Sequence, residues 1–151
     1  MQDDIRSSIL QKLTELEVEY WHEVDRNWGR NAHAFYVENG VFSIGDKRMV
    51  GRSAILDFYR WRESRGARTA RHLVTNFRLG MCDTRRAELE CAMCLYAADG
   101  LPILESRSAI MIADIVSGCV LDDSGHWQFA SHLLKPVFMG GEAPTIPPDK
   151  P

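Results

Sequence analysis

The sequence predicts an α+β fold, with helices in the first half of the chain and a mostly antiparallel sheet in the second. Three observations carry this expectation. Apolar residues recur every three or four positions over the first thirty residues. From Thr69 onward the chain changes to long runs of strand-forming residues. Those runs are joined by short turn sequences, too short to hold crossover helices.

In the first element Ile5, Ile9, Leu13, Leu16, Tyr20, Val24 and Trp28 form one apolar stripe, on one long helix or two short ones in line. Asp3 and Asp4 suit its positive N-terminal end, and Gly29 reads as its stop. Asn39-Gly40 reads as a turn, after which Val41, Phe42 and Ile44 begin a short strand. Gly45-Asp46-Lys47 turns the chain back into a strand at 48–51. A second helix follows over 52–65, with Ser53 as N-cap and Ile55, Phe58, Tyr59 and Arg62 on one side. Strands are predicted near 69–81, 86–98, 102–117 and 126–138, with turns at 82–85, 98–100 and 122–125. Residues 1–138 read as one domain and 139–151 as a proline- and glycine-rich tail, extended or frayed. A curved sheet wrapped over the helices leaves a concave cavity, a natural site for a small molecule.

Composition narrows the function classes. The 151 residues are 45% hydrophobic and 26% charged, ordinary for a globular protein. A net charge of −3 offers no basic field for nucleic acid. No run approaches the roughly 20 apolar residues of a membrane span. The charged N-terminus lacks the apolar core of a secretory signal, so a cytoplasmic protein is expected. Cys91 and Cys94 form a C-x-x-C, but in a predicted strand they face opposite ways. Together with Cys82 and Cys119 they read as reduced thiols. His22, Asp25 and His33 match no familiar metal spacing, and no serine-hydrolase, P-loop or dinucleotide motif is present. Neither metal nor organic cofactor is expected.

Two segments carry the chemistry. In YWHEVDRNW, Asp25 lies beside the apolar stripe, with Trp21 and Trp28 as helical neighbours. A carboxylate in such dry surroundings needs a partner. In TARHLVTNFRL, strict alternation puts Ala70, His72, Val74, Asn76 and Arg78 on one face, and Arg71, Leu73, Thr75, Phe77 and Leu79 on the other. Neither face is purely polar, so the second is a candidate subunit contact through Leu73, Phe77 and Leu79. A histidine facing Asp25 across the cavity would be held in one tautomer and made a better base at its other nitrogen. From pattern alone, Asp25 paired with Arg26 or Arg30 at the surface, and His72 satisfied in the core, stand as the alternative.

These segments, together with VFSIGDKRMVGRSAILDFY and GHWQFASHLLKPVF, resemble the SnoaL-like branch of the nuclear transport factor 2-like superfamily over most of residues 5–138. The resemblance is to scytalone dehydratase and hexachlorocyclohexane dehydrochlorinase in particular. It implies a cone-shaped roll of the cystatin-like kind, with a homodimer or homotrimer through the outer sheet face. It places the catalytic Asp–His dyad of those enzymes on Asp25 and His72. The implied activity is a cofactor-independent elimination on a small apolar or aromatic substrate, with Tyr20, Trp21, Trp28, Tyr36, Phe58, Asn76 and His132 around it. Two departures stand out. Val24 takes the place of a tyrosine before the aspartate, and the following strand offers Cys91 and Met93 where a second histidine would stand. Tyr20, Tyr36, Asn76 and His132 are the candidates to assist the leaving group instead. Other members of the fold are isomerases, polyketide cyclases or non-catalytic accessory subunits such as those of aromatic-ring dioxygenases.

Overall fold

The computed structural model describes residues 2–141 and Thr145. Helix α1 runs Asp3–Asn27, followed by a 3-10 turn, strands β1 (Tyr36–Ile44) and β2 (Lys47–Val50), and helix α2 (Arg52–Ser64). Strands β3 (Arg68–Cys82), β4 (Arg86–Asp99), β5 (Met111–Leu121) and β6 (Trp127–Met139) complete the fold. One six-stranded sheet has the order β2-β1-β6-β5-β4-β3. Its pairings are antiparallel except β1 with β6. The two helices pack on one face of the sheet, which curves around them as a cone-shaped roll.

The apolar stripe of α1 buries Ile9, Leu13, Tyr20, Trp21 and Val24. Alternation in β4 and β5 sends Leu89, Cys91, Met93 and Leu95, and Met111, Ala113, Ile115 and Cys119, into the same core. No disulfide joins the four cysteines; Cys91 is buried and Cys94 half-buried on the opposite side of its strand.

Helix α1 ends in a wide last turn, where the N–H groups of Trp28 and Gly29 both return to the carbonyl of Glu23. Trp28 and Gly29 are both left-handed, at φ 61° and 68°. At Gly29 a Cβ would stand 2.5 Å from Cδ1 of Tyr59. Gly29→Ala is therefore expected to destabilise the fold by more than about 1 kcal/mol, through backbone strain and displacement of the Tyr59 ring. A urea midpoint indistinguishable from that of the parent would contradict this.

Four sequence expectations are corrected. Asn39-Gly40 is not a turn. It lies within β1, where the register slips between Tyr36 and Val41. A Cβ at Gly40 would meet the Tyr36 Cβ at 2.9 Å, so glycine serves here as a strand irregularity. Ser53 is not the cap of α2, which begins at Arg52 after Gly51 without a side-chain cap. Residues 102–110 are not strand, and 98–100 is no hairpin. Pro102 has no N–H for a ladder, and pairing resumes only where the Ile110 N–H meets the Leu95 carbonyl. Strict alternation in β3 also fails, because its register with β4 shifts between Thr75 and Arg78. Asn76 sits in that shift at φ 59°. Beyond it Phe77 and Leu79 pack on the core instead of facing outward, while Leu73 stays exposed. Most of the expected tail lies outside the described residues.

Candidate active site

Asp25 is on the last turn of α1, at the edge of its buried stripe, and His72 is an inward residue of β3. Their contact is bidentate. Asp25 Oδ1 lies 2.6 Å from His72 Nδ1, and Oδ2 accepts the His72 backbone N–H at 2.8 Å. Both side chains are nearly fully enclosed, at 7% and 2% exposure. The carboxylate thus grips both the imidazole and the strand carrying it, which fixes the ring's position. With Asp25 accepting, Nδ1 carries the proton and Nε2 is the basic nitrogen. Among the described residues no hydrogen bond reaches Nε2. The indole of Trp21 stacks on the imidazole at 4.3 Å and 16°.

The electrostatics keep His72 neutral. Burial pushes its pKa below the ordinary 6.5; Asp25 opposes this, while the charges of Arg62 and Arg68 add to the lowering. Arg62 is a buried residue of α2, and Arg68 starts β3 on the inward face that also carries His72. Burial lowers the pKa of both arginines, that of Arg68 to about 10.

A second buried polar cluster lies deeper. His132 Nε2 is 2.7 Å from Glu17 Oε2, with both side chains wholly inaccessible. The Ser117 hydroxyl donates to Glu17 Oε1 at 2.7 Å. On its other side His132 Nδ1 meets the Tyr36 hydroxyl at 2.8 Å. Tyr36 donates to Tyr20 at 3.0 Å, and Tyr20 and Tyr59 share a hydrogen bond of 2.5 Å. Because Tyr36 has one proton and gives it to Tyr20, Nδ1 must donate to Tyr36.

The predicted site residues therefore separate. Asp25, His72 and Trp21 come together. Tyr20, Tyr36 and His132 are in the core, joined in a hydrogen-bonded chain through the Tyr36 hydroxyl. Phe58 is buried beneath the Arg62 guanidinium, 5.0 Å from its ring centre. Trp28 is the half-buried left-handed residue that ends α1. Asn76 does not join the group: the β3 irregularity turns it to the outer side, in a depression with Arg78, Glu90, Asp114 and Lys135.

Glu17 and Arg62 are the polar residues that motif reasoning passed over. Both carried a signal, since each is a charge standing on an apolar helical stripe. Glu17 lies between Leu13 and Tyr20, and Arg62 follows Ile55, Phe58 and Tyr59.

No family model matches the chain, and no curated protein matches it in sequence. Solved structures do match. A protein of Novosphingobium aromaticivorans, provisionally assigned as a scytalone dehydratase, has a TM-score of 0.80 at 16% identity over 97% of each chain. ActVI-ORFA from Streptomyces coelicolor has a TM-score of 0.75 at 10% identity, covering 85% of this chain and 98% of the other. A cystatin-like protein of unknown function from Nostoc punctiforme has a TM-score of 0.69 at 15% identity, over 91% and 92%. The fold is SnoaL-like. At these identities the likeness concerns the fold and not the reaction. Within this SnoaL-like fold Asp25 comes from the helix and His72 from the sheet, so the dyad sits where the two layers meet. No described helix is long and apolar enough to cross a membrane.

Proposed function

We propose that the chain is a cofactor-independent lyase of the dehydratase kind, with His72 as general base and Asp25 as its positioning partner. The observation that carries this reading is the enclosed 2.6 Å contact between Asp25 Oδ1 and His72 Nδ1, which directs basicity to Nε2. Nε2 removes a proton from carbon beside an activating group. The electron pair left behind forms the new double bond as the β-substituent departs. Asp25 stabilises the imidazolium while it exists. When the departing group is hydroxide, the proton taken by His72 is the one it needs to leave as water, so the step closes without a further reagent. That the fold also houses a protein provisionally assigned as a scytalone dehydratase supports the reading.

The test is a panel of β-hydroxy and β-halo carbonyl compounds on aromatic frames. Product is followed by the absorbance of the conjugated double bond, and proton removal by deuterium uptake at carbon in D₂O. Turnover that disappears in His72→Ala is expected. Compounds that bind without elimination and without exchange would overturn the lyase reading and favour a ligand-binding role.

The pH dependence follows from the direction of the His72 shift. Its folded pKa lies below the unfolded value of 6.5, so the unfolded chain takes up this proton first. The site's contribution to stability is complete above pH 6.5 and declines as pH falls from there through the lower folded pKa. The acid limb of kcat/KM should therefore bend below 6.5. A limb centred above that value would contradict a buried, neutral base.

A further inference from the structure

Arg62 is a guanidinium with no counterion among the described residues. It belongs to the buried side of α2 and is only 7% exposed. Its cation lies over the rings of Phe58 and Tyr59, at 5.0 and 5.9 Å from their centres. Nη2 donates to the Thr145 carbonyl at 2.8 Å. A carbonyl satisfies one donor but neutralises no charge. Nε is buried with no hydrogen-bond partner, and no carboxylate of the described residues lies within ion-pair distance. Burying a cation on such terms is costly, and a guanidinium is shaped to receive two oxygens at once.

A second observation points to the same place. The Trp21 Nε1–H is also buried without an acceptor, and its ring is the one stacked on His72. Two donors that lack acceptors thus belong to the surroundings of one dyad. One aromatic cluster joins them: Phe58, beneath the Arg62 guanidinium, packs on Phe42 at 5.6 Å, and Phe42 packs on Trp21 at 6.4 Å, the ring stacked on His72. An apolar ligand would leave both donors unsatisfied. An anionic oxygen group would satisfy them and neutralise the charge.

We propose that Arg62 is an anion anchor, and that the ligand of this site is an aromatic or apolar molecule bearing a carboxylate or an equivalent anionic oxygen group. This rests on reading the Asp25–His72 site as one that holds a small molecule, and it refines the expected small apolar or aromatic substrate. The Thr145 carbonyl holds the Nη2 corner, and the Nε edge is left for the ligand. The same charge would stabilise negative charge that develops on the substrate as its proton leaves.

The probe is benzoate, with benzamide as its neutral near-isostere. Binding is read by ¹H–¹⁵N NMR from the Arg62 Nε–H and the Trp21 indole N–H, the Arg62 signal being assigned by its absence in Arg62→Lys. Benzoate is expected to shift both signals and to bind at least about tenfold more tightly than benzamide. Arg62→Met should abolish that preference. If Arg62→Met does not fold, the benzoate and benzamide comparison on the parent protein decides by itself. Equal binding of the two probes, or no shift of the Arg62 signal across the millimolar range of benzoate, would overturn the proposal. His72→Ala should keep the preference for benzoate while losing any proton abstraction. Failure of the base assignment and failure of the anion anchor are therefore separate results.

Discussion

Glu17→Ala is expected to cost about 3–5 kcal/mol of stability, the largest loss from any single side chain considered for this fold. Glu17 and His132 are both fully inaccessible and meet at 2.7 Å. Removing the carboxylate leaves His132 Nε2 without its partner, the Ser117 hydroxyl without its acceptor, and a void between helix and sheet. The damage spreads along the hydroxyl chain, because His132 orients Tyr36, Tyr36 donates to Tyr20, and Tyr20 bonds to Tyr59. The measurement is urea unfolding with the slope held as a check on the unfolded state. Replacing both partners by apolar residues, as in Glu17→Met with His132→Phe, should recover part of the loss, because no half-satisfied pair remains. A loss below about 1 kcal/mol for Glu17→Ala would show that the cluster contributes little to folding.

His72→Ala is expected to lower turnover by about 10²–10⁴-fold, the usual contribution of a positioned general base. Asp25→Asn should act in the same direction without removing the ring. An amide can still accept the His72 backbone N–H, but it can turn its own donor toward Nδ1 and so favour the wrong tautomer. The two variants differ in their structural cost. His72→Ala also removes the ring that stacks on Trp21, so its turnover must be compared at a temperature where circular dichroism shows both proteins folded. A folded His72→Ala protein with near-parental turnover would remove His72 from the chemistry. A large fall in His72→Ala with none in Asp25→Asn would leave the base and remove the role given to Asp25.

Much of the architecture was legible from local pattern. The stripe from Ile9 through Val24 required a helix with one dry side, and the hairpin turns at 82–85 and 122–125 required neighbouring antiparallel strands. The expected strand over 102–117 failed because Asp99-Gly100 resembles a tight turn. Whether a turn closes a hairpin depends on what lies across the sheet, and β5 pairs only from Ile110 onward. The expected outward facing of Phe77 and Leu79 failed for a related reason. One extra residue at Asn76 reverses the side chains from there to Leu79, after which the register slips again, and a polar residue in a strand does not announce a bulge.

By itself the sequence determined the class of fold and the order of its helices and long strands, and it left a dry Asp25 facing His72 and a surface Asp25 paired with an arginine both open. The class and the order follow from periodicities of 2.0 and 3.6 residues, which are local properties of the backbone. The tertiary structure alone decided which polar groups meet. His72 and Asp25 are 47 residues apart and His132 and Glu17 are 115 apart, so chain distance says nothing about their pairing. It also decided that Tyr20, Tyr36 and His132 belong to the sealed cluster and that Arg62 is buried over the rings of Phe58 and Tyr59. The physical reason is that burial makes a partner obligatory for a charge without naming it, and only the curvature of the sheet over α1 brings particular partners within bonding distance.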